Sequence, residues 1–323
     1  MRDHIIGIDI GGTIIKGAVF NVEGKLVQAS SIETQAYQET EKALSNLLSL
    51  VNALKEKGGG CSAIGIGVAG VLDAKKELLL QSPNLKNLEN VNLKNFLAEA
   101  AQLPVYLEND ANAAALGEQW AGAGRDIENF LLITLGTGIG GGLVLNGDLW
   151  TGENGKAGEF GHMIVVQGGE PCACGKKGCL EAYSSGEAIS RMAREALQSG
   201  ACSSLKNLSA GSPDNIDAEM VYHAAQNGDT VATDIYRQVA KYLAIGVANV
   251  NNLLDIHHVI LGGGVSKAFN LFAAVLIEEV KKQVFHISQD RIMIVPSQLG
   301  SEAGIYGATY LALKKLIAPG DGN

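Results

Sequence analysis

His4-Ile-Ile-Gly-Ile-Asp9-Ile-Gly-Gly-Thr13 decides the fold: a strand-sized apolar run that ends on an aspartate and a glycine-threonine turn. Residues 16–21 read as a second strand, and residues 25–32 as a third after the turn Glu23-Gly24. The plan returns at Phe130-Leu-Leu-Ile-Thr-Leu135, which runs into Gly136-Thr-Gly-Ile-Gly-Gly-Gly142, a strand at 143–145 and the turn Asn146-Gly147. Two copies of strand, Gly-Thr turn, strand, turn predict two related α/β halves, each with a glycine-rich hairpin aimed at a shared cleft.

The intervening chain fits that plan. Residues 40–57 carry apolar side chains at 44, 47, 48, 51 and 54, a helical period, and Gly58-Gly59-Gly60 stops it. Residues 63–68 read as a buried strand, 93–101 as a helix, and 105–107 as a short strand that delivers Glu108-Asn109-Asp110 to an alanine-rich helix at 111–120. Further helices are expected at 185–199, 218–226, 231–254, 268–284 and 302–316. Strands are expected at 258–261, leading into Gly262-Gly263-Gly264, and at 291–295. Residues 200–216 are polar and read as an irregular surface excursion. The domains predicted are residues 1–118, completed by a C-terminal helix at 302–318, and residues 119–301.

At 323 residues, with 46% hydrophobic and 18% charged side chains, the chain has enough apolar material for two globular cores. A net charge of −9 with no basic stripe argues against nucleic acid as a partner. Small anions stay open as ligands, because glycine-rich backbone binds phosphate without help from net charge, and the chain has 41 glycines. The longest apolar runs are strand-sized, so neither a signal peptide nor a membrane span is expected, and the location read is the cytoplasm. Five cysteines, three of them clustered, fit a reducing compartment better than a disulfide framework. Cys61 and Cys202 read as ordinary small apolar residues.

Gly158-Glu-Phe-Gly-His162 and Cys172-Ala-Cys174-Gly-Lys-Lys-Gly-Cys179-Leu-Glu181 place one imidazole, three thiols and two carboxylates in one segment. One nitrogen and three sulfurs from His162, Cys172, Cys174 and Cys179 make the donor set of a closed structural zinc site. Glycines at 168, 169, 175 and 178 supply the turns of a short metal loop. The competing reading is a redox Cys-x-Cys pair beside an unrelated histidine. Closing a metal site here would bring the Glu159 and Glu181 carboxylates toward one place.

Gly136-Thr-Gly138-Ile-Gly140-Gly141 and Gly65-Ile-Gly67-Val-Ala-Gly70 both match Gly-x-Gly-x-x-Gly. That pattern binds a dinucleotide when it follows a strand and opens a helix; the first leads into a strand and the second begins inside one, which argues against a Rossmann site. No Gly-x4-Gly-Lys-[Ser/Thr] occurs, which removes the P-loop. A phosphate cradle built from hairpin turns remains, with Thr13 and Thr137 as hydroxyl donors. Asp9 beside the first turn would then hold Mg²⁺ through water; the alternative is a carboxylate that caps the turn. Asp110 is either a reactive carboxylate facing the cleft or the N-cap of the helix that follows.

Together these motifs, with Ser82-Pro-Asn84-Leu85, Glu108-Asn-Asp110-Ala-Asn112 and the Gly262-Gly-Gly264 turn, resemble the ROK family of sugar kinases and repressors, and within it the bacterial glucokinase branch. The similarity covers nearly the whole chain. The resemblance implies an actin-like ATPase fold of two ribonuclease H-like domains, with ATP and a hexose meeting in the cleft. It implies that Asp110 is the catalytic base and that Asn84, Asn109, Glu159, His162 and Glu181 are sugar ligands. Asp9, Gly11, Gly12 and Thr13 match the first phosphate turn; Thr137, Gly138, Gly262, Gly263 and Gly264 match the nucleotide side of the second domain. ATP, Mg²⁺ and a structural Zn²⁺ follow as cofactors, and a homodimer or higher homo-oligomer as the assembly.

One departure is that residues 14 and 15 are both isoleucine, where relatives often place a polar side chain. Repressors of the family carry a helix-turn-helix ahead of the first glycine turn, which here begins within the first dozen residues, so a kinase is expected instead. Glucose leads as substrate; N-acetylmannosamine, N-acetylglucosamine or fructose follows, and a sugar sensor without turnover comes last.

Overall fold

The structure, a computed structural model, describes residues 4–36 and 39–317; residues 1–3 of the expected first domain and residue 318 of its expected closing helix lie outside them. In chain order the first part comprises β1 (His4–Ile10), β2 (Ile14–Asn21), β3 (Leu26–Glu33), α1 (Thr40–Gly58), β4 (Cys61–Val68), β5 (Val71–Leu72), β6 (Leu79–Gln81), α2 (Leu93–Ala101), β7 (Val105–Asn109) and α3 (Asp110–Ala121). The rest comprises β8 (Phe130–Leu135), β9 (Ile139–Leu145), β10 (Asp148–Trp150), α4 (Glu181–Ser184), α5 (Gly186–Gln198), α6 (Leu205–Leu208), α7 (Ala218–Gln226), α8 (Thr230–Leu254), β11 (His258–Gly262), α9 (Phe269–Gln283), β12 (Met293–Pro296) and α10 (Ala303–Ile317).

The internal repeat of the sequence is a repeat of topology. One sheet runs β3-β2-β1-β4-β7 and the other β10-β9-β8-β11-β12, so each opens as a meander and ends in parallel strands. Two compact units result. The first takes the described residues up to Glu128, Gly142–Gly158 and those from Gln298 onward; the second takes Asn129–Gly141 and Glu159–Ser297.

In the first unit, β1 and β4 are lined on one side by Ile6, Ile8, Ile64 and Ile66, packed with Leu47, Leu50 and Leu54 of α1 in a dry core. The other side is covered by α10, which packs on Ile5 and Ala63 and comes closest at two glycines: a Cβ at Gly7 would overlap Thr309, and one at Gly65 the Ala308 carbonyl. Gly307 sits flush on the Ala113 carbonyl in the same way, which explains the alanine-rich face of α3. The carboxylate of Glu118, fully buried, accepts from the N–H groups of Ala123 (2.7 Å) and Leu299 (3.0 Å), tying the end of α3 to the segment that leads into α10.

Two local expectations need correction, and two elements come in addition to those expected. Residues 139–142 belong to strand β9 rather than to a loop, and Gly142 serves close packing there, since a Cβ on it would lie 2.6 Å from the Ala115 methyl. The turn Asn146-Gly147, both residues at positive φ, leads on into β10, which the sequence did not reveal. The β5–β6 hairpin also went unread, since strands of two and three residues show no periodicity. Within 200–216, α6 and a 3₁₀ turn at Pro213–Asn215 give order to a stretch read as irregular. No helix among the described residues is long and apolar enough to cross a membrane.

Candidate active site

In the first unit the candidate residues gather where β1, β4 and β7 end. The turn after β1 is held by its own backbone: Gly11 N–H donates to the Ile14 carbonyl (3.1 Å), and Thr34, fully buried, donates its hydroxyl to the Gly11 carbonyl (2.6 Å) and its N–H to the Thr13 carbonyl (2.9 Å). Asn84 lies against this turn, its Cβ 2.8 Å from where a Cβ at Gly12 would stand. It is displayed by Ser82, whose buried hydroxyl donates to the Ala69 carbonyl (2.7 Å) and accepts from Leu85 N–H (3.1 Å), while Leu85 is buried beneath.

Asp9 is the penultimate residue of β1, opposite Lys16 of β2. Burial pushes its carboxyl above the ordinary range, and Lys16 acts in the opposite sense. Gly304 of α10 leaves room for this carboxylate, since a Cβ there would come within 3.0 Å of it.

Asp110 opens α3, and the choice between base and helix cap is decided by its neighbour. The Asn109 side-chain oxygen accepts from the N–H groups of Ala111 (2.9 Å) and Asn112 (3.2 Å), so Asn109 is the N-cap. Asn109 also donates its amide to the Gly70 carbonyl (3.1 Å), and the same side chain hydrogen-bonds the Asp110 carboxylate. Asp110 is therefore free of the capping role. Burial, then repulsion from Asp9, pushes its carboxyl up to about 6, against the pull of the Ala111 and Asp110 N–H groups and the Asn109 side chain. Such a group is ionised at neutral pH and still basic enough to accept a proton.

In the second unit the turn after β8 is closed by Gly136 N–H on the Gly138 carbonyl (2.9 Å), and the Gly136 carbonyl accepts from Gly186 N–H (2.7 Å) at the start of α5. Beside it lies a cavity of about 520 Å³ whose lining includes Thr137, Gly186, Asp217, Tyr222, Gly264 and Lys267. The first turns of α5 and α7 both face it, capped by Ser185 and Asp217. The structure thus brings Thr137 and Gly264 together; Gly138, Gly262 and Gly263 are not part of that lining. Gly263 serves the backbone instead, at φ 83° and pressed on Leu135. Glu187, Asp217, Tyr222 and Lys267 escaped the sequence reading: the helix starts were legible, but their convergence on one cavity is a property of the tertiary fold.

The thiol cluster is assembled. The ligand atoms of His162, Cys172, Cys174 and Cys179 all lie within 4.8 Å of one another, with Cys174 Sγ 3.7 Å from Cys179 Sγ and Cys172 Sγ 3.8 Å from His162 Nδ1. Zinc–sulfur bonds of about 2.3 Å give a tetrahedron with edges of about 3.8 Å, so the donor set and its spacing fit zinc. Burial and the neighbouring thiols of Cys174 and Cys179 push the Cys172 thiol up to about 12, crowding that a bound cation relieves. Gly168, Gly175 and Gly178 turn at positive φ as expected, whereas Gly169 does so at negative φ and makes room for the Tyr183 hydroxyl.

His162 turns Nδ1 to the thiols and Nε2 toward Glu159, 3.9 Å from its carboxylate oxygen, so the two ring nitrogens face different groups. Glu181 bridges two features: one oxygen accepts Ile139 N–H at the glycine turn (2.9 Å) and the other lies 3.6 Å from Cys172 Sγ.

Comparison with known proteins accords with this picture. The model of the ROK family matches residues 5–315. The chain is 36% identical to a glucokinase of Thermotoga maritima over 312 residues, covering 97% of this chain and 98% of the relative. Among solved structures it resembles a ROK family glucokinase from Streptomyces griseus in complex with glucose and AMPPNP (TM-score 0.82, 35% identity, 96% of this chain and 99% of that one). It also resembles a ROK hexokinase from Thermus thermophilus (TM-score 0.84, 33% identity, 97% and 99%). The chain belongs to the ROK family and has its two-domain, actin-like ATPase fold.

Proposed function

We propose that this ROK protein is a hexose kinase that transfers the γ-phosphoryl group of ATP to the 6-hydroxyl of glucose, with Asp110 as the general base. The observation that carries the reading is a half-buried carboxylate at the head of α3 that is relieved of the N-cap role by Asn109 and that burial and the nearby Asp9 push up to about 6. Kinship with glucokinases over almost the full chain supports ATP and glucose as the substrates.

Phosphoryl transfer asks a protein mainly to position reactants and to stabilise charge. Asp110 accepts a hydrogen bond from the sugar hydroxyl, aims its oxygen at the γ-phosphorus and takes the proton as the new bond forms. Asn84, Asn109, Glu159, His162 and Glu181 read the other hydroxyls. A wrong sugar leaves some of these polar groups unpaired. The cavity beside Thr137 and Gly264 takes the nucleoside, and the turns at Gly11–Thr13 and Gly136–Gly138 offer N–H and hydroxyl donors to the phosphates. Asp9 fits a hydrated Mg²⁺ on those phosphates, an ion that would neutralise charge on the transferring group. His162, Cys172, Cys174 and Cys179 would hold a structural Zn²⁺ that fixes the direction of the His162 ring. On this reading the enzyme works in the cytoplasm at the entry to glycolysis, as a homodimer or higher homo-oligomer.

The test is a coupled ADP-release assay over glucose, fructose, mannose, N-acetylglucosamine and N-acetylmannosamine. The highest kcat/KM on glucose supports the reading. Preference for an acetylated hexosamine or fructose keeps the mechanism and moves the substrate, and no turnover on any sugar leaves a sensor.

A further inference from the structure

The hairpin of β5 and β6 supplies none of the residues assigned above, yet it reaches the corner that carries Asp110 at two points. Asp73 organises its turn, accepting from the N–H groups of Lys75 (3.2 Å), Glu77 (2.6 Å) and Leu78 (2.8 Å). This leaves Lys76 in the left-handed region at φ 54°. From there the Lys76 ammonium meets Oε2 of Glu108, a side chain only 2% exposed in β7. The other oxygen of Glu108 accepts from Asn109 N–H (3.0 Å) and from the Asn112 amide (3.2 Å). Just before β5, the Gly70 carbonyl takes the Asn109 amide (3.1 Å). The residue before Asp110 and the residue two after it are thereby held through one carboxylate, and that carboxylate is held by Lys76.

We propose, on the basis of the kinase reading, that Lys76 is a positioning residue for phosphoryl transfer: its ion pair with Glu108 fixes the Asn109–Asp110 corner and cancels a second negative charge beside the base. Removing one partner of a buried pair leaves the other uncompensated. Without Lys76, Glu108 has two courses. It can take a proton, which weakens its grip on Asn109 N–H, or it can stay charged two residues from Asp110. The charged groups around Asp110 are Asp9 of β1, Lys16 opposite it on β2, Glu108 of β7 and Lys76 of the hairpin; α10 presents Gly304 to this corner. A charged, unpaired Glu108 therefore adds to the repulsion that Asp9 already exerts.

The test uses the full chain with Lys76→Met, Lys76→Arg, and Lys76→Met combined with Glu108→Gln, whose amide oxygen still accepts both hydrogen bonds and carries no charge. Lys76→Met should lower kcat by about tenfold or more and move the acid limb of the pH profile upward, with the sugar KM changed by less than about threefold. Lys76→Arg should keep most of the activity, and the double variant should recover kcat and return the acid limb to its wild-type place. Carbon-13 NMR titration of the Asp110 carboxyl reads the same question without turnover: its midpoint should rise in Lys76→Met and fall back in the double variant. Wild-type turnover of a hexose tests the kinase reading separately. The inference is overturned if Lys76→Met leaves kcat within about twofold and the Asp110 midpoint unmoved, or if its loss of activity is not recovered by the double variant.

Discussion

Replacing Asp110 by Asn should cost activity and add stability, and the second effect tests the electrostatics that the first relies on. The Asp110 carboxyl is raised from 3.8 to about 6, so the folded protein binds its proton more tightly than the unfolded chain does. The sign follows from linkage: between pH 4 and 6 the native state holds more protons, so the stability contributed by this group falls as pH rises through that window. At pH 7.5 the charged carboxylate costs the fold up to about 3 kcal/mol, from 6 − 3.8 = 2.2 units at about 1.36 kcal/mol each. The cost is smaller to the extent that Asp110 meets solvent. Asn keeps the shape and removes the charge. Asp110→Asn should therefore melt a few degrees above wild type at pH 7.5 and at the same temperature as wild type near pH 4, read by scanning calorimetry. Its turnover should drop by about 10²–10⁴ with sugar binding retained, and the wild-type kcat/KM should fall on the acid side of about pH 6. An equal gain in melting temperature at both pH values would refute charge burial as the cause. Retention of more than half the activity would refute Asp110 as the base.

Purified protein should contain about one zinc per chain by elemental analysis, and chelation should lower melting temperature and sugar affinity together; a metal-free preparation with full sugar binding, or Cys174→Ser with sugar binding unchanged, would contradict the assignment. Ala218→Trp places an indole in the cavity beside Thr137 and should raise the ATP KM by about tenfold or more with sugar binding intact, as calorimetric titration would reveal; an unchanged ATP KM would put the nucleoside elsewhere. Gly65→Val drives a side chain into the Ala308 carbonyl and should destabilise the first unit by about 1–3 kcal/mol or more, measured as a lower denaturant midpoint; a neutral substitution would mean that α10 is not seated on β4.

The parts of the fold legible in sequence are those where one residue type has one use. A strand ending on Asp9 and Gly11-Gly12-Thr13, its echo at Leu135–Gly138, and four metal-type ligands within eighteen residues each need only local chemistry to be seen, and each takes the expected place. The cavity beside Thr137 was not legible, because its walls come from the first turns of α5 and α7 and from the Gly264 turn, segments separated by dozens of residues. Nor was the purpose of the glycines. The sequence offers 41 of them, and only the structure separates those that turn the chain at positive φ, as Gly178 does, from those that let helix lie on sheet, as Gly7 and Gly65 do.

Asp110 shows why the same limit applies to single residues. In sequence, residue type alone favours the N-cap for an aspartate between a strand and a helix, and only the family resemblance turns the reading toward a base. The structure separates them by giving the cap to Asn109, and this division of labour carries a cost: Asp9 of β1 and Glu108 of β7 stand on either side of Gly67 in β4, and Asp110 follows β7, with Lys16 and Lys76 as the cations near them. A fold selected for stability alone would place neutral groups here. Placing three carboxylates at one end of the sheet makes sense if one must accept a proton, one must face a cation on the phosphates, and the third, neutralised by Lys76, holds the backbone of the Asn109–Asp110 corner. That account separates the three by experiment. Neutralising Asp110 should abolish chemistry and leave binding. Neutralising Asp9 should weaken the Mg²⁺ dependence of ATP use. Neutralising Glu108 together with Lys76 should leave both nearly intact.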